Sequence, residues 1–285
     1  MKIAIVALTR GYPDNLSKYS DLINRNISIY EKINQYRKVP ADILLFHEGN
    51  ISQSDQEYIK FNSPEPIKFI DVSKYFVKID LKFEDSKRFN LGYRYMCRFN
   101  MFYIWHEVKN YDYILRVDED IQINKFDPFI FEVMEKNNLV FFTGRFSKED
   151  YEPTNKTLPK FLIKNMLINS IKLYNHKFPY TNVYATKVKF WLEKDVQNIL
   201  KIVAESDEQI IFRWGDLPVL GTVLNYKNTK IHLFKISSYK HISHSLLIKN
   251  NLLRNYFINN SLNPISKNNT LVKYLKNNQI FNREV

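Results

Sequence analysis

The sequence predicts an α/β fold: one domain with a mainly parallel mixed sheet flanked by helices. Three observations carry this. Short apolar runs alternate with segments of helical periodicity through the first half of the chain, the strand–helix–strand order of layered α/β domains. The apolar runs are continuous rather than alternating, as in parallel strands covered on both faces. No internal repeat and no separating linker interrupts the 285 residues, and 45% hydrophobic content is enough for a sizeable core.

The elements follow in order. Residues 3–8 are a continuous apolar run and open the sheet. Residues 16–37 carry Ile23, Ile27, Tyr30 and Ile33 at helical spacing. Residues 42–46 make a second strand, 52–61 a short helix and 67–72 a third strand, joined by right-handed crossovers. Residues 88–108 form a helix with Leu91, Tyr95, Phe99 and Phe102 on one face. Residues 112–117 follow as a strand that runs into three acids, and 139–142 as another. Residues 151–156 read as a polar loop around Pro153. Residues 158–174 and 188–204 read as helical, 216–224 as the opening of a helix and 230–236 as a strand. The tail after His244 is first apolar and helical, then rich in Asn and Lys.

Charge and composition exclude several classes. There are 42 Lys and Arg against 30 Asp and Glu, a formal net charge of +12. Such a surplus attracts anions, but no run of five basic residues marks a nucleic-acid arm, and no nucleic-acid partner is expected. Only 6 Gly argue against a glycine-rich phosphate loop, and the single Cys97 excludes a disulfide framework and a Cys-based zinc site. Cys97 sits among apolar residues and reads as core. The first apolar run is too short for a signal h-region or a membrane helix. No later window reaches a membrane-spanning length. The sequence therefore predicts a soluble protein, cytoplasmic or otherwise intracellular, with no signal peptide or anchor.

Arg116-Val117-Asp118-Glu119-Asp120 is the sharpest chemical signal. On an extended backbone Asp118 and Asp120 point to the same side and can share one cation, with hard oxygens that suit Mn²⁺ or Mg²⁺. They lie beyond the carboxyl end of a strand, where open α/β sheets bind ligands. A solvated acidic turn fits the same pattern. On the preceding helix, Arg88, Arg94 and Arg98 are forked donors suited to a diphosphate, or exposed helix residues. In Arg213-Trp214-Gly215-Asp216-Leu217-Pro218, Asp216 caps the following helix or binds sugar hydroxyls beside the ring of Trp214. His241, just past the last strand, is an imidazole able to complete an Asp/Asp site for Mn²⁺.

Taken together, Met96-Cys97-Arg98-Phe99, Arg116 to Asp120, Arg213 to Val219 and Tyr239-Lys240-His241 resemble the fungal α-1,2-mannosyltransferases of glycosyltransferase family 15 in order and spacing. The resemblance covers roughly residues 90–241. It implies a GT-A fold, a GDP-mannose donor, Mn²⁺ and retention of anomeric configuration. It implies a transferase domain over residues 1–245, with 1–120 as the nucleotide-sugar half and 121–245 as the acceptor half, followed by a helical tail over 246–285. By position, it assigns Asp118, Asp120 and His241 to the metal. Arg10, Tyr93, Arg98, Arg116 and Asp118 go to the donor nucleotide, Arg213, Trp214 and Tyr239 to substrate, and Asp216 with Tyr184 to catalysis. Two departures stand out. Asp-Glu-Asp replaces the family's Glu-Pro-Asp, and Tyr184 stands where the family carries an acid, which favours same-face attack by the acceptor over double displacement.

The expected function is metal-dependent transfer of a hexose, mannose from GDP-mannose, to the hydroxyl of a glycan acceptor. A UDP-hexose transferase on the same scaffold and a non-catalytic, basic polyanion-binding protein are the alternatives. The oligomeric state is not legible in the sequence.

Overall fold

The chain begins with β1 (Ile3–Thr9), and all of Ile3 to Ala7 is buried, as the continuous apolar run requires. A 3₁₀ turn (Leu16–Tyr19) leads into α1 (Ser20–Lys32). Then come β2 (Asp42–His47), α2 (Gln53–Phe61) and β3 (Ile67–Asp71). Ser52 caps α2, accepting the Asp55 N–H at 3.1 Å. Next is α3 (Leu91–Arg98), capped by Asn90, which accepts the Tyr93 N–H at 3.0 Å. It passes through a π-turn (Phe99–Tyr103) into α4 (Ile104–Glu107). The middle of the chain holds β4 (Tyr113–Val117), β5 (Ile121–Lys125), α5 (Ile130–Lys136), β6 (Phe141–Thr143), β7 (Phe146–Lys148) and α6 (Glu152–Lys164). The remainder is β8 (Lys177–Pro179), β9 (Val183–Lys187), α7 (Val188–Trp191), α8 (Lys194–Glu205), α9 (Asp207–Ile211), α10 (Asp216–Tyr226), β10 (Ile231–Leu233) and β11 (Ser238–His241).

This computed structural model describes residues 1–13, 15–64, 66–77, 89–168, 174, 177–233 and 238–241. The helical tail expected over 246–285, Arg88 and residues 169–173 of the helix expected over 158–174 lie outside the described residues.

Among the described residues seven strands form one mixed sheet, in the order β10-β6-β9-β4-β1-β2-β3. Strand β1 pairs parallel with β4, and β10 parallel with β6. Strand β9 runs antiparallel between β6 and β4, so the expected mixed character comes from this central strand. The α/β class and the mixed sheet are as expected from the sequence.

Contacts cluster into two compact units. The first comprises Met1–Val6, Asp71–Val117 and Phe129–Lys235. Its β4 is buried along its whole length, and its core stacks Trp105 on Trp191, with ring centroids 4.7 Å apart. The second comprises Ala7–Ile70, Asp118–Pro128 and the described part of Ile236–Val285. In it α1 packs on β5, and the Ile123 N–H donates to the Ser28 hydroxyl at 3.1 Å. Strand β11 closes a two-stranded ribbon on β5.

Three expectations are corrected. The helix expected over 158–174 stops at Lys164, where Asn165 caps it and Met166 turns into the left-handed region with φ 52°. Residues 151–156 are not a loop: Pro153 sits in the first turn of α6, where its missing N–H has no helical acceptor to lose. The helix expected over 188–204 is two helices, α7 and α8, broken at Leu192 and Glu193.

Candidate active site

In the second unit the three acids make a tight turn. The Ile121 N–H donates back to the Asp118 carbonyl at 3.2 Å, and β5 starts at once. All three acids are half-buried. The carboxylate of Glu119 accepts from the Thr9 hydroxyl at 2.5 Å and from the Tyr12 hydroxyl at 3.3 Å. Burial raises its pKa; the Thr9 hydrogen bond and the charge of Arg10 hold the rise down. Arg10 is exposed, donates from Nε to the Tyr12 hydroxyl at 3.2 Å and lies 5.4 Å over that ring. The buried guanidinium of Arg25, from α1, answers the charge of the turn. Burial pulls its pKa down to about 9, while Asp118 and Glu119 pull it up. It donates to the Asn26 side chain at 2.9 Å.

The register of the β5–β11 ribbon brings the end of the described chain to this turn. Lys240 lies opposite Gln122 and His241 opposite Ile121, the residue after Asp120. Directly opposed residues in an antiparallel pair have Cα atoms only about 5 Å apart. The side chain of His241, assigned to the metal by sequence, lies outside what the structure describes. Tyr239 is opposite Ile123 and is half-buried.

The donor set fits a hard divalent cation. Two carboxylates flank a third that is engaged elsewhere, at the carboxyl end of a strand, with a cation beneath to offset their repulsion. Among the described residues no group of three His, Cys, Asp or Glu side chains forms a metal-holding cluster.

In the first unit a second set of groups gathers around α10. Asp216 opens this helix, and its Oδ2 accepts from Arg116 at 2.6 Å; both side chains are buried. The positive helix end and the guanidinium complement the same charge. Tyr184 lies opposite Arg116 in the β4–β9 ladder, and the Arg116 guanidinium is 5.9 Å from its ring centroid. Tyr184 is fully buried and stacks on Phe141. Cys97 is buried beside them; burial first, and then the charge of Asp216, push its thiol up to about 12. Tyr93 is shifted upward by Cys97 and by burial, and its hydroxyl accepts from Arg213 at 3.2 Å.

Other sequence-assigned residues are buried and engaged within the protein. Trp214, expected to face a sugar, is fully buried: its indole N–H donates to Thr157 at 2.8 Å and its ring packs on Phe161. Arg213, in the left-handed region with φ 52°, pairs with buried Glu149 at 2.8 Å and lies 4.1 Å over Phe89. Arg94, expected among the diphosphate donors, is also fully buried and donates to the carbonyls of Phe89, Ile210 and Ile211, closing the end of α9. Arg98 lies 4.8 Å over Tyr95, and its Nε has no hydrogen-bond partner among the described residues.

The sequence reading missed Thr9, Tyr12 and Arg25. Thr9 and Tyr12 flank Arg10 and carried no separate signal. Arg25 did leave one: it sits on the buried stripe of α1, three residues after Leu22 and four before Ile29, where a cation needs an anion.

No family model matches the chain. Curated relatives do. Glycolipid 2-alpha-mannosyltransferase 2 of Candida albicans is 25% identical over 280 residues, covering 85% of this chain and 58% of the relative. Glycolipid 2-alpha-mannosyltransferase 1 of the same yeast is 28% identical over 173 residues, covering 53% of this chain and 40% of the relative. The chain thus spans roughly half the length of these relatives. Among solved structures, the Mn/GDP form of core-mannan synthase A from Aspergillus fumigatus superposes with a TM-score of 0.69 at 18% identity, covering 85% of this chain and 75% of that one. The GDP complex of the mannosyltransferase Ktr4p from S. cerevisiae gives 0.68 at 17% identity, covering 84% and 71%. The chain has the GT-A fold of these structures, and in sequence it is similar to fungal α-1,2-mannosyltransferases.

Proposed function

We propose that the chain is a metal-dependent glycosyltransferase that moves mannose from GDP-mannose to a glycan hydroxyl with retention. The observation that supports this most is the ribbon register, in which His241 pairs with Ile121 directly after the Asp118–Asp120 turn. Residues far apart in sequence thereby meet where the resemblance requires a metal site. The relatives named above as mannosyltransferases, and the Mn/GDP and GDP complexes of the solved neighbours, support the donor and the ion.

Asp118, Asp120 and His241 hold the cation in this reading. A divalent ion there supplies Lewis-acid neutralisation of the diphosphate as it departs. Arg10 is exposed at the tip of β1 with its guanidinium available to a phosphate oxygen. Asp216, held by Arg116, orients the acceptor hydroxyl and accepts its proton. With Tyr184 buried in the sheet and bearing no carboxylate, the chain offers no nucleophile at that position. The acceptor attacks from the face the nucleotide leaves.

The test is a donor screen with the full chain, Mn²⁺, a mannoside acceptor and GDP-mannose, UDP-glucose or UDP-galactose in parallel. The expected result is Mn²⁺-dependent release of GDP and an α-linked product. Asp120→Ala should lower kcat/KM by about a hundredfold or more, since several kcal/mol of charge stabilisation are lost. Turnover of a UDP-hexose alone would move the donor, and turnover of none would refute the enzyme.

A further inference from the structure

We propose that Glu119 is a positioning residue of the acidic turn: tied to Thr9 and Tyr12, it fixes the backbone from which Asp118 and Asp120 present their carboxylates, and it does not itself bind the ion. The proposal rests on the reading of this turn as a divalent-cation site.

Both Glu119 oxygens are already engaged, Oε2 by the buried Thr9 hydroxyl at 2.5 Å and Oε1 by the Tyr12 hydroxyl at 3.3 Å. Each hydroxyl takes one lone pair of its oxygen, and together they turn the carboxylate toward Thr9 and Tyr12. Glu119 and Asp120 are the two central residues of the turn that the Ile121 N–H closes on the Asp118 carbonyl at 3.2 Å, not an extended segment as the sequence suggested, so a Glu119 tied to Thr9 and Tyr12 holds that turn in place. The donors are themselves held. The Tyr12 hydroxyl accepts from Arg10 at 3.2 Å. The Tyr12 N–H donates to the Tyr19 hydroxyl at 2.9 Å, and that hydroxyl donates to Asp55 of α2 at 2.8 Å. Between Arg10 and Tyr12, the Gly11 N–H donates to the Asn50 side chain at 2.9 Å. A Cβ on Gly11 would lie 1.8 Å from the Asn50 carbonyl oxygen, so the two backbones lie against each other with no space for a side chain between them. The tip of β1, the entry to α1 and the start of α2 thus converge on one carboxylate in the middle of the turn. Groups that orient ligands in this way tune metal affinity without touching the metal.

Calorimetric titration of Mn²⁺ and GDP into the full chain, with melting curves alongside, tests this. Wild type binds GDP more tightly with Mn²⁺, and Asp120→Asn loses that enhancement. Glu119→Ala keeps metal-free GDP affinity but binds Mn²⁺ about 10–100-fold more weakly, whereas Glu119→Gln, which still offers Thr9 an acceptor, stays within about threefold of wild type. A Glu119→Ala protein with wild-type Mn²⁺ affinity overturns the proposal. So does a Glu119→Gln protein as weak as Glu119→Ala, because the negative charge is then itself the requirement. If Glu119→Ala does not fold, Thr9→Val takes its place: weaker Mn²⁺ binding supports the latch, and wild-type affinity overturns it. A wild type whose GDP binding ignores Mn²⁺ is a different failure, of the cation site itself, and is seen before any variant is compared.

Discussion

Arg116 and Asp216 face each other where water is scarce, and removing one leaves a buried charge without its counter-ion. Arg116→Ala should therefore lower stability by about 3–5 kcal/mol, read from the urea midpoint. If Asp216 handles the acceptor hydroxyl, Asp216→Asn lowers kcat while GDP affinity, measured by titration, stays near wild type; an unchanged kcat removes it from the reaction. Cys97 gives a second check. Its thiol, pushed up to about 12 by burial and the Asp216 charge, is unreactive toward a disulfide reagent at pH 8 in the native protein. One thiol should react per chain after denaturation, and rapid modification of the native chain would contradict the burial. Trp214 makes the same point about context. Its neighbour Asp216 and the helix start were legible in the sequence, but the direction of the indole, set by Thr157 and Phe161 from α6, was not.

Among the elements, strands of continuous apolar residues and the first helices between them were legible: β1, β2, β4 and α2 lie at or within a residue of the ranges read from the sequence, and α3 lies inside its range. Short elements whose reason is tertiary were not. Strand β9 is buried on both faces and carries no alternation, so Val183–Lys187 reads as nothing until β4 and β6 flank it. Strands β5 and β11 are each other's only sequence-distant partner in their ribbon among the described residues, and neither announces the other. Helix α6 was hidden by Pro153, which marks a first turn as readily as a loop. Helix α10 packs against β8 closely enough that a Cβ on Gly221 would sit 2.3 Å from the Phe178 ring. Gly221→Ala should cost about 1–3 kcal/mol from overpacking, measured as a lowered urea midpoint; no change would mean that the ring moves freely aside.

For the molecule as a whole, the order of four short blocks was more informative than any one of them. The blocks lie on different elements, α3, the end of β4, the start of α10 and β11, so their order along the chain carries information that no single block contains. The net charge of +12 is uninformative by comparison, being spread over the chain without a basic run. Ligand linkage gives a measurement on this scale. GDP with Mn²⁺ at a hundredfold excess over its Kd should stabilise the chain by about 2.7 kcal/mol, a rise in Tm of roughly 5–10 °C. EDTA should abolish most of that rise, and a GDP shift indifferent to EDTA would separate nucleotide binding from the metal.

The most direct measurement is pulsed electron paramagnetic resonance of Mn²⁺ bound to the full chain with GDP, comparing wild type with His241→Gln. A site made from Asp118, Asp120 and His241 gives an imidazole nitrogen coupling in the wild type that disappears in His241→Gln, with Mn²⁺ still bound more weakly. A wild-type spectrum without that coupling, or one that His241→Gln leaves unchanged, would contradict it.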